Sequence, residues 1–451
     1  MRITFIKPNM GRMMEGAYVD EGRMEPLQIG ILAALTPREF DISFYDDRME
    51  EIPYNQETDL VAITVETFTA KRAYEIAKQF KERHIPVVMG GMHPTLISEE
   101  VLLYADTVII GDAETVWMEF LEDFKNNQLK KIYEGTFLVP QQGIIPRRDI
   151  FKGKGYLPIS LMQFSRGCTN GCHFCASSVF FKQKQYCRPI EDIVYEIKTQ
   201  KLKFIFFVDD NIVADQDKAK ALFKALIPLK IKWVSQASID MTQDLELMRL
   251  MMKSGCMGNV IGFESIKRDT LEKMNKTGNL GSDFDGYKEQ IKILRRFGHQ
   301  TWAAFTIGHD DDTPESIRDI YQFALKNKFA FAAFNILMPY PNTPLFRQLE
   351  KDNRLHFDGK WWLHDDFRFN HAPIIPLHIT REALTEIGFE CRKKFNSKWS
   401  IFYRSLDFKT NMRSPFRLMT YYAYNPLFRK EVYKKQGMIL GTEEKMKGDS
   451  I

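Results

Sequence analysis

From the first residue to about residue 350, short runs of consecutive apolar residues alternate with stretches in which apolar positions recur every third or fourth place. Runs of the first kind are strands buried on both faces, and the stretches between them are amphipathic helices. The pattern predicts strands at 2–7, 41–45, 60–65, 86–90 and 107–111. It predicts helices at 26–35 and 70–83, the latter with Ala70, Ala73, Ile76, Ala77 and Phe80 on one stripe. An α/β alternation of this kind is a doubly wound, Rossmann-like parallel sheet over residues 1–136. Such sheets bind ligands beyond the carboxyl ends of their strands, so Pro8, Thr64, Gly90, Gly91, His93 and Gly111 are the candidate contacts.

Residues 137–156 contain Pro140, Gly143, Pro146, Gly153 and Gly155 without a helical stripe and read as a linker. A second unit, 157–353, has strands at 157–164, 204–208, 233–237, 259–263, 301–307 and 332–337. Helices are expected at 189–199, 216–226, 243–253 and 314–326. Six βα units predict a partial (βα)6 barrel with its chemistry at the carboxyl ends of the strands. Those ends carry Asp209, Asp210, Asn211, Ser235, Gln236, Ser238, Glu264 and Ser265, any of which can bind a polar ligand or serve as a structural cap.

With 451 residues, 44% apolar and 13% aromatic, the chain has material for two to three buried cores. The start Met1-Arg2-Ile3-Thr4-Phe5-Ile6 is too short an apolar run for a signal peptide, and no uncharged run approaches the roughly 20 residues of a membrane span. A cytoplasmic protein, soluble or peripheral on the inner membrane face, is expected. The net charge of +4 hides an asymmetry: residues 392–437 carry twelve Lys or Arg against Asp407 and Glu431, interleaved with eleven aromatics. This falls in a mostly helical extension, 354–441, with a helix at 381–395 and, beyond it, a disordered tail at 442–451. Basic and aromatic residues so mixed suit an anionic membrane, a phosphorylated ligand, nucleic acid, or an ordinary solvated face. No RNA-binding signature accompanies the charge, so nucleic acid is disfavoured.

Half of the six cysteines lie in Ser165-Arg166-Gly167-Cys168-Thr169-Asn170-Gly171-Cys172-His173-Phe174-Cys175. Three thiolates at C-x3-C-x2-C can bind three irons of a cubane and leave the fourth open. Arg166 and Asn170 offer donors to its sulfurs. A zinc site completed by His173 is the competing reading, weakened because Cys172 and His173 are adjacent. A disulfide framework does not suit so few cysteines, and Cys187, Cys256 and Cys391 stand singly as small apolar side chains. The loop resembles the signature of the radical S-adenosylmethionine (radical SAM) enzymes, with Phe174 at the aromatic position. The pieces Pro26-Leu27-Gln28-Ile29-Gly30, Met89-Gly90-Gly91-Met92-His93-Pro94 and Ile110-Gly111-Asp112-Ala113-Glu114 resemble the cobalamin-binding domain of a large subset of that family.

The resemblance implies a 4Fe-4S cluster on Cys168, Cys172 and Cys175, with S-adenosylmethionine held by Phe174, Asp209, Ser235, Gln236, Ser238 and Glu264. It also implies cobalamin over the six amino-terminal positions named above. Where many cobalamin domains have D-x-H-x-x-G, this chain reads Asp46-Asp47-Arg48-Met49-Glu50, which implies a base-off corrinoid or a domain that has lost it. His309 replaces a small apolar residue of a later barrel loop, a departure that points to the substrate pocket, and 421–441 is loosely similar to the extensions of hopanoid methylases. The implied activity is radical methylation of an unactivated carbon of a small-molecule, hydrophobic or lipid-like substrate, with a reductant such as flavodoxin or ferredoxin. Two alternatives stand beside it: a cobalamin-bearing enzyme that oxidises, cyclises or joins carbons, and a non-catalytic iron–sulfur or zinc protein.

Overall fold

The computed structural model describes residues 1–11, 21–137, 143–280 and 285–441. Pro140 of the expected linker and the expected tail at 442–451 lie outside the described residues.

The first sheet contains β1 (Arg2–Lys7), β2 (Asp41–Asp46), β3 (Leu60–Thr64), β4 (Val87–Gly90), β5 (Thr107–Ile110) and β6 (Ile132–Glu134). All pair in parallel in the order β2-β1-β3-β4-β5-β6. Both faces are buried because each strand alternates its apolar side chains between two cores. Ile3, Phe5, Leu60 and Ala62 pack with the helices Leu27–Leu35 and Trp117–Lys125, while Ile6, Val61, Ile63 and Val87 pack with the helix Ala70–Lys81. The stripe expected on that last helix is the one it buries. Strand β1 pairs with both β2 and β3, so the chain reverses direction across the sheet there and leaves a crevice beyond the strand ends. The sixth strand was not expected, since three residues are too few to show a period.

The second sheet is also parallel and keeps chain order, starting from β7 (Ser160–Met162). A short antiparallel pair, β8 (Ser165–Arg166) and β9 (Tyr186–Cys187), follows it. The sheet continues through β10 (Phe204–Phe207), β11 (Lys232–Gln236), β12 (Cys256–Glu264), β13 (Trp302–Ile307) and β14 (Phe331–Ile336). Its outer face, with Ile205, Trp233, Ile261, Phe263 and Phe305, forms the largest core with the surrounding helices. The first strand is shorter than the expected 157–164 because the amides of Phe164 and Ser165 turn to the carboxylate of Asp209 and leave the ladder.

After β14 the chain returns to the first sheet. Trp361, Trp362 and Phe367 are buried in that sheet's core, and Trp362 Nε1 donates to Glu100 Oε1 at 2.8 Å. Helix Arg381–Phe395 adds Leu384, Ile387, Cys391 and Phe395 to the core of the second sheet. Helices Lys398–Ser405 and Pro415–Lys435 follow, and residues 436–441 return to the first sheet, where Leu440 joins the core. The two helices are joined through Arg404, whose guanidinium donates to the carbonyls of Phe329, Ala330 and Phe395 and to Asn425 Oδ1.

Candidate active site

The carboxyl ends of the two sheets share a cleft of about 760 Å3. Thr64, Gly90, Gly91 and Gly111 line it from the first sheet, and Arg166, Phe174, Cys175, Asp210 and Tyr340 from the other side. Gly91 sits at φ +115, where an added Cβ would lie 2.8 Å from the Val65 carbonyl oxygen, so only glycine keeps this wall open.

The cysteine loop is held from beneath and from the side. Asp209, fully buried, accepts hydrogen bonds from the Phe164 amide at 3.1 Å, the Ser165 hydroxyl at 2.5 Å and the Ser165 amide. Burial raises its pKa to about 7 against the pull of those donors. Asp210 Oδ2 accepts from the Gly167 amide at 2.8 Å, and Gly167 at φ +80 has no room for a Cβ beside the Lys184 carbonyl. On the other side, Asn275 Nδ2 donates to the Gly171 carbonyl at 2.8 Å, and the His173 amide donates to the Met274 carbonyl at 3.1 Å.

Cys168 and Cys172 are buried behind the wall of the cleft, and Cys175 forms part of it. Asn211 Nδ2 donates to Cys168 Sγ at 3.8 Å. Burial raises the Cys172 thiol to about 11, with Lys276 pulling against it. Lys276 stands 3.5 Å from Glu264 Oε1. Burial opposes its charge, and Glu264 with the three cysteine sulfurs outweighs burial, so the ammonium is held above the ordinary lysine value. A cation so placed fits an anionic cluster. His173 points elsewhere, with Nδ1 3.2 Å from the Lys273 carbonyl, and among the described residues no trio of His, Cys, Asp or Glu closes on a single ion. The donor set therefore suits a cubane better than zinc.

Residues 162–324 match the family model described as the radical SAM superfamily. Over 370 residues the chain is 31% identical to bacteriochlorophyllide d C-12(1)-methyltransferase of Chlorobaculum tepidum, spanning 79% of this chain and 80% of that protein. The chain belongs to the radical SAM enzymes. This radical SAM enzyme is also 28% identical over 424 residues to the bacteriochlorophyllide d C-8(2)-methyltransferase of the same organism, spanning 85% of its own chain and 93% of the relative. Its fold is similar to that of TsrM, a radical SAM methyltransferase from Kitasatospora setae solved with cobalamin and a 4Fe-4S cluster bound. The TM-score is 0.62 at 15% identity, over 78% of this chain and 75% of TsrM.

In this radical SAM enzyme the expected ligand residues divide. Thr64, Gly90, Gly91 and Gly111 line the cleft, as do Phe174 and Cys175. Pro8 and His93 are not among its lining residues. The His93 imidazole is fully buried, 3.1 Å from Tyr74 Oη, 3.4 Å from Glu100 Oε1 and 3.3 Å from Thr67 Oγ1, a structural network on the far face of the sheet. The Asp209 carboxylate accepts from the Phe164 and Ser165 amides and the Ser165 hydroxyl, which makes it an anchor of the loop. Ser235 donates to the Phe207 carbonyl at 2.7 Å, and Ser238 hydrogen-bonds Asn211. Gln236 is exposed at the end of β11. Glu264 stands at φ +61 and accepts from Thr306 Oγ1 at 2.6 Å. His309 is beside Glu264, and burial lowers its pKa.

Two features escaped the sequence reading. Lys276 lies in a polar stretch that reads as surface. Arg166, read as a donor to sulfur, instead reaches across the cleft to Glu114 at 2.5 Å and Asp112 at 3.3 Å.

Proposed function

We propose that this enzyme is a cobalamin-dependent radical SAM methyltransferase that adds a methyl group to an unactivated carbon of a hydrophobic small molecule. The observation that carries this reading is that Cys175 and the Gly90–Gly91–Gly111 wall bound one cavity, so groups held on the two sheets meet in it. In this reading residues 1–136 form the cobalamin-binding domain, 157–353 the radical SAM barrel and 354–441 the extension that closes them together.

Cys168, Cys172 and Cys175 would hold three irons of the cluster. Lys276, released from Glu264, pairs with the methionyl carboxylate, and Glu264 accepts from the ribose hydroxyls. Bound in the cleft, a cluster would supply reducing power toward the sulfonium and cobalamin would supply a transferable methyl group. No histidine is among the described residues lining the cleft. Asp46 and Asp47 are tied to Arg48, Tyr156, Arg72 and Asn9, so a base-off corrinoid is the form that fits. Phe174, Phe180 and Tyr340 keep water from the reacting carbon and offer apolar contact to a flat or lipid-like substrate. The two bacteriochlorophyllide methyltransferases among the relatives support that substrate class. Electrons enter from a carrier such as flavodoxin or ferredoxin on the side where Thr169 and His173 are exposed.

The test is anaerobic reconstitution followed by iron and cobalt analysis, then product analysis with a hydrophobic acceptor. Deoxyadenosine together with S-adenosylhomocysteine is the expected outcome. Deoxyadenosine alone would favour oxidation, cyclisation or carbon–carbon joining, and neither product would overturn the enzyme reading.

A further inference from the structure

Helix Pro415–Lys435 is apolar on two opposite faces. Its inner face, with Tyr421, Tyr424, Leu427 and Phe428, closes a cavity of about 340 Å3 against Trp302 and Phe331. Its outer face leaves Phe416 41% and Met419 60% exposed, three positions apart on one helical stripe. Tyr422 continues that side and donates to Ser405 Oγ at 2.8 Å, which sets helix Lys398–Ser405 beside it. There Trp399 (64% exposed), Phe402 (58%) and Leu406 follow one another at helical spacing, with Phe408 (76%) in the loop beyond. A soluble surface seldom leaves so many large apolar side chains together in water.

The charge around them has one sign. Between residues 397 and 430 the single acid is Asp407, buried and paired with Arg295 at 2.7 Å, whereas Lys398, Lys409 and Arg413 are exposed and Lys430 faces Glu21 at 3.9 Å. Aromatics flanked by Lys398, Lys409 and Arg413 match the interface of an anionic bilayer, where the rings enter the headgroup layer and the cations meet lipid phosphates. A partner protein would bring its own constellation of acids to a defined few of these cations; a bilayer needs only their common sign. No described helix is long and apolar enough to cross a membrane, so the contact is peripheral.

We propose that helices Lys398–Ser405 and Pro415–Lys435 dock the enzyme on anionic phospholipid. The proposal is independent of the chemistry assigned above. Flotation of the full chain with phosphatidylcholine vesicles, with and without a third of phosphatidylglycerol, tests it. We expect binding only to the anionic vesicles, weakening with salt and falling by roughly fivefold for each cation removed in K398Q, K409Q and R413Q. W399A/F402A/F408A should lose binding while keeping its melting temperature and its cluster absorbance. Equal binding to both vesicle types, or none to either, would overturn the proposal. So would a concentration-dependent dimer that disappears in the aromatic variant without any vesicle binding, since the face would then cover a second copy of the chain. Because iron content and deoxyadenosine formation are measured without vesicles, failure here leaves the methyltransferase reading standing, and failure there leaves the docking result intact.

Discussion

Arg166→Met isolates the contact that fastens the cysteine loop to the opposite sheet. The guanidinium is 7% exposed and faces two carboxylates, Asp112 and Glu114, themselves largely buried. Removing it strands both acids in a poorly solvated cleft, and orphaning the partner of a buried ion pair costs about 3–5 kcal/mol. For a domain of this size that corresponds to a fall in melting temperature of roughly 10 °C. The loss should also depend on pH. Burial holds Asp112 above its usual value, Arg166 pulls it down and Glu114 pushes it up. Without Arg166 the folded-state pKa rises further. A carboxylate whose pKa is higher folded than unfolded binds more protons in the folded state, so stability falls as pH climbs from the unfolded value toward the folded one. The deficit of the variant, measured by thermal melts at about pH 5 and about pH 8, should therefore be larger at the higher pH. Adding D112N and E114Q should restore most of the loss and flatten the pH dependence. A variant that melts within about 3 °C of the parent at both pH values, or whose deficit shrinks as pH rises, would refute the argument.

Three further outcomes are expected. Cys172→Ala should abolish the visible iron–sulfur absorbance and all deoxyadenosine formation while leaving the far-UV spectrum intact; a variant that still makes deoxyadenosine removes the cluster assignment. Lys276→Met should weaken S-adenosylmethionine binding by roughly tenfold or more, the worth of one charge-assisted hydrogen bond, and calorimetric titration of the reconstituted protein measures it. His93→Ala should cost about 2–3 kcal/mol in urea unfolding, since Tyr74 and Glu100 lose a buried partner, yet keep the bound cobalt; loss of cobalt at unchanged stability would return His93 to the ligand set.

Both sheets were legible because periodicity reports burial. Ala70, Ala73, Ile76, Ala77 and Phe80 could only be the inner stripe of a helix, and a run such as Phe204–Phe207 could only be a strand covered on both sides. Cysteine spacing was legible for a similar reason, since thiolates that bind one group must be local to one loop. What stayed hidden depends on distance along the chain. Arg166 lies 52 positions from Glu114, and nothing in the neighbourhood of either residue announces the pairing. The same limit explains Asp209. Its position after β10 suits a ligand contact and a loop anchor equally, and only the amides of Phe164 and Ser165, brought alongside by β7 pairing with β10, decide the matter. His93 follows the glycine pair as a ligand would, yet the turn after β4 carries its ring to the side where Tyr74 waits.

The tryptophan pair at 361–362 has a consequence for how this protein is made. Trp362 reaches a carboxylate 262 positions upstream, and Lys360 pairs with the other oxygen of that same Glu100 at 3.1 Å. While a ribosome is still producing the second sheet, the amino-terminal sheet already has all its strands but an open seam beside Glu100. Nascent chains truncated before the tryptophans should therefore be more readily cleaved by protease at that sheet than chains extended past them, because a segment translated long after the sheet is what closes it.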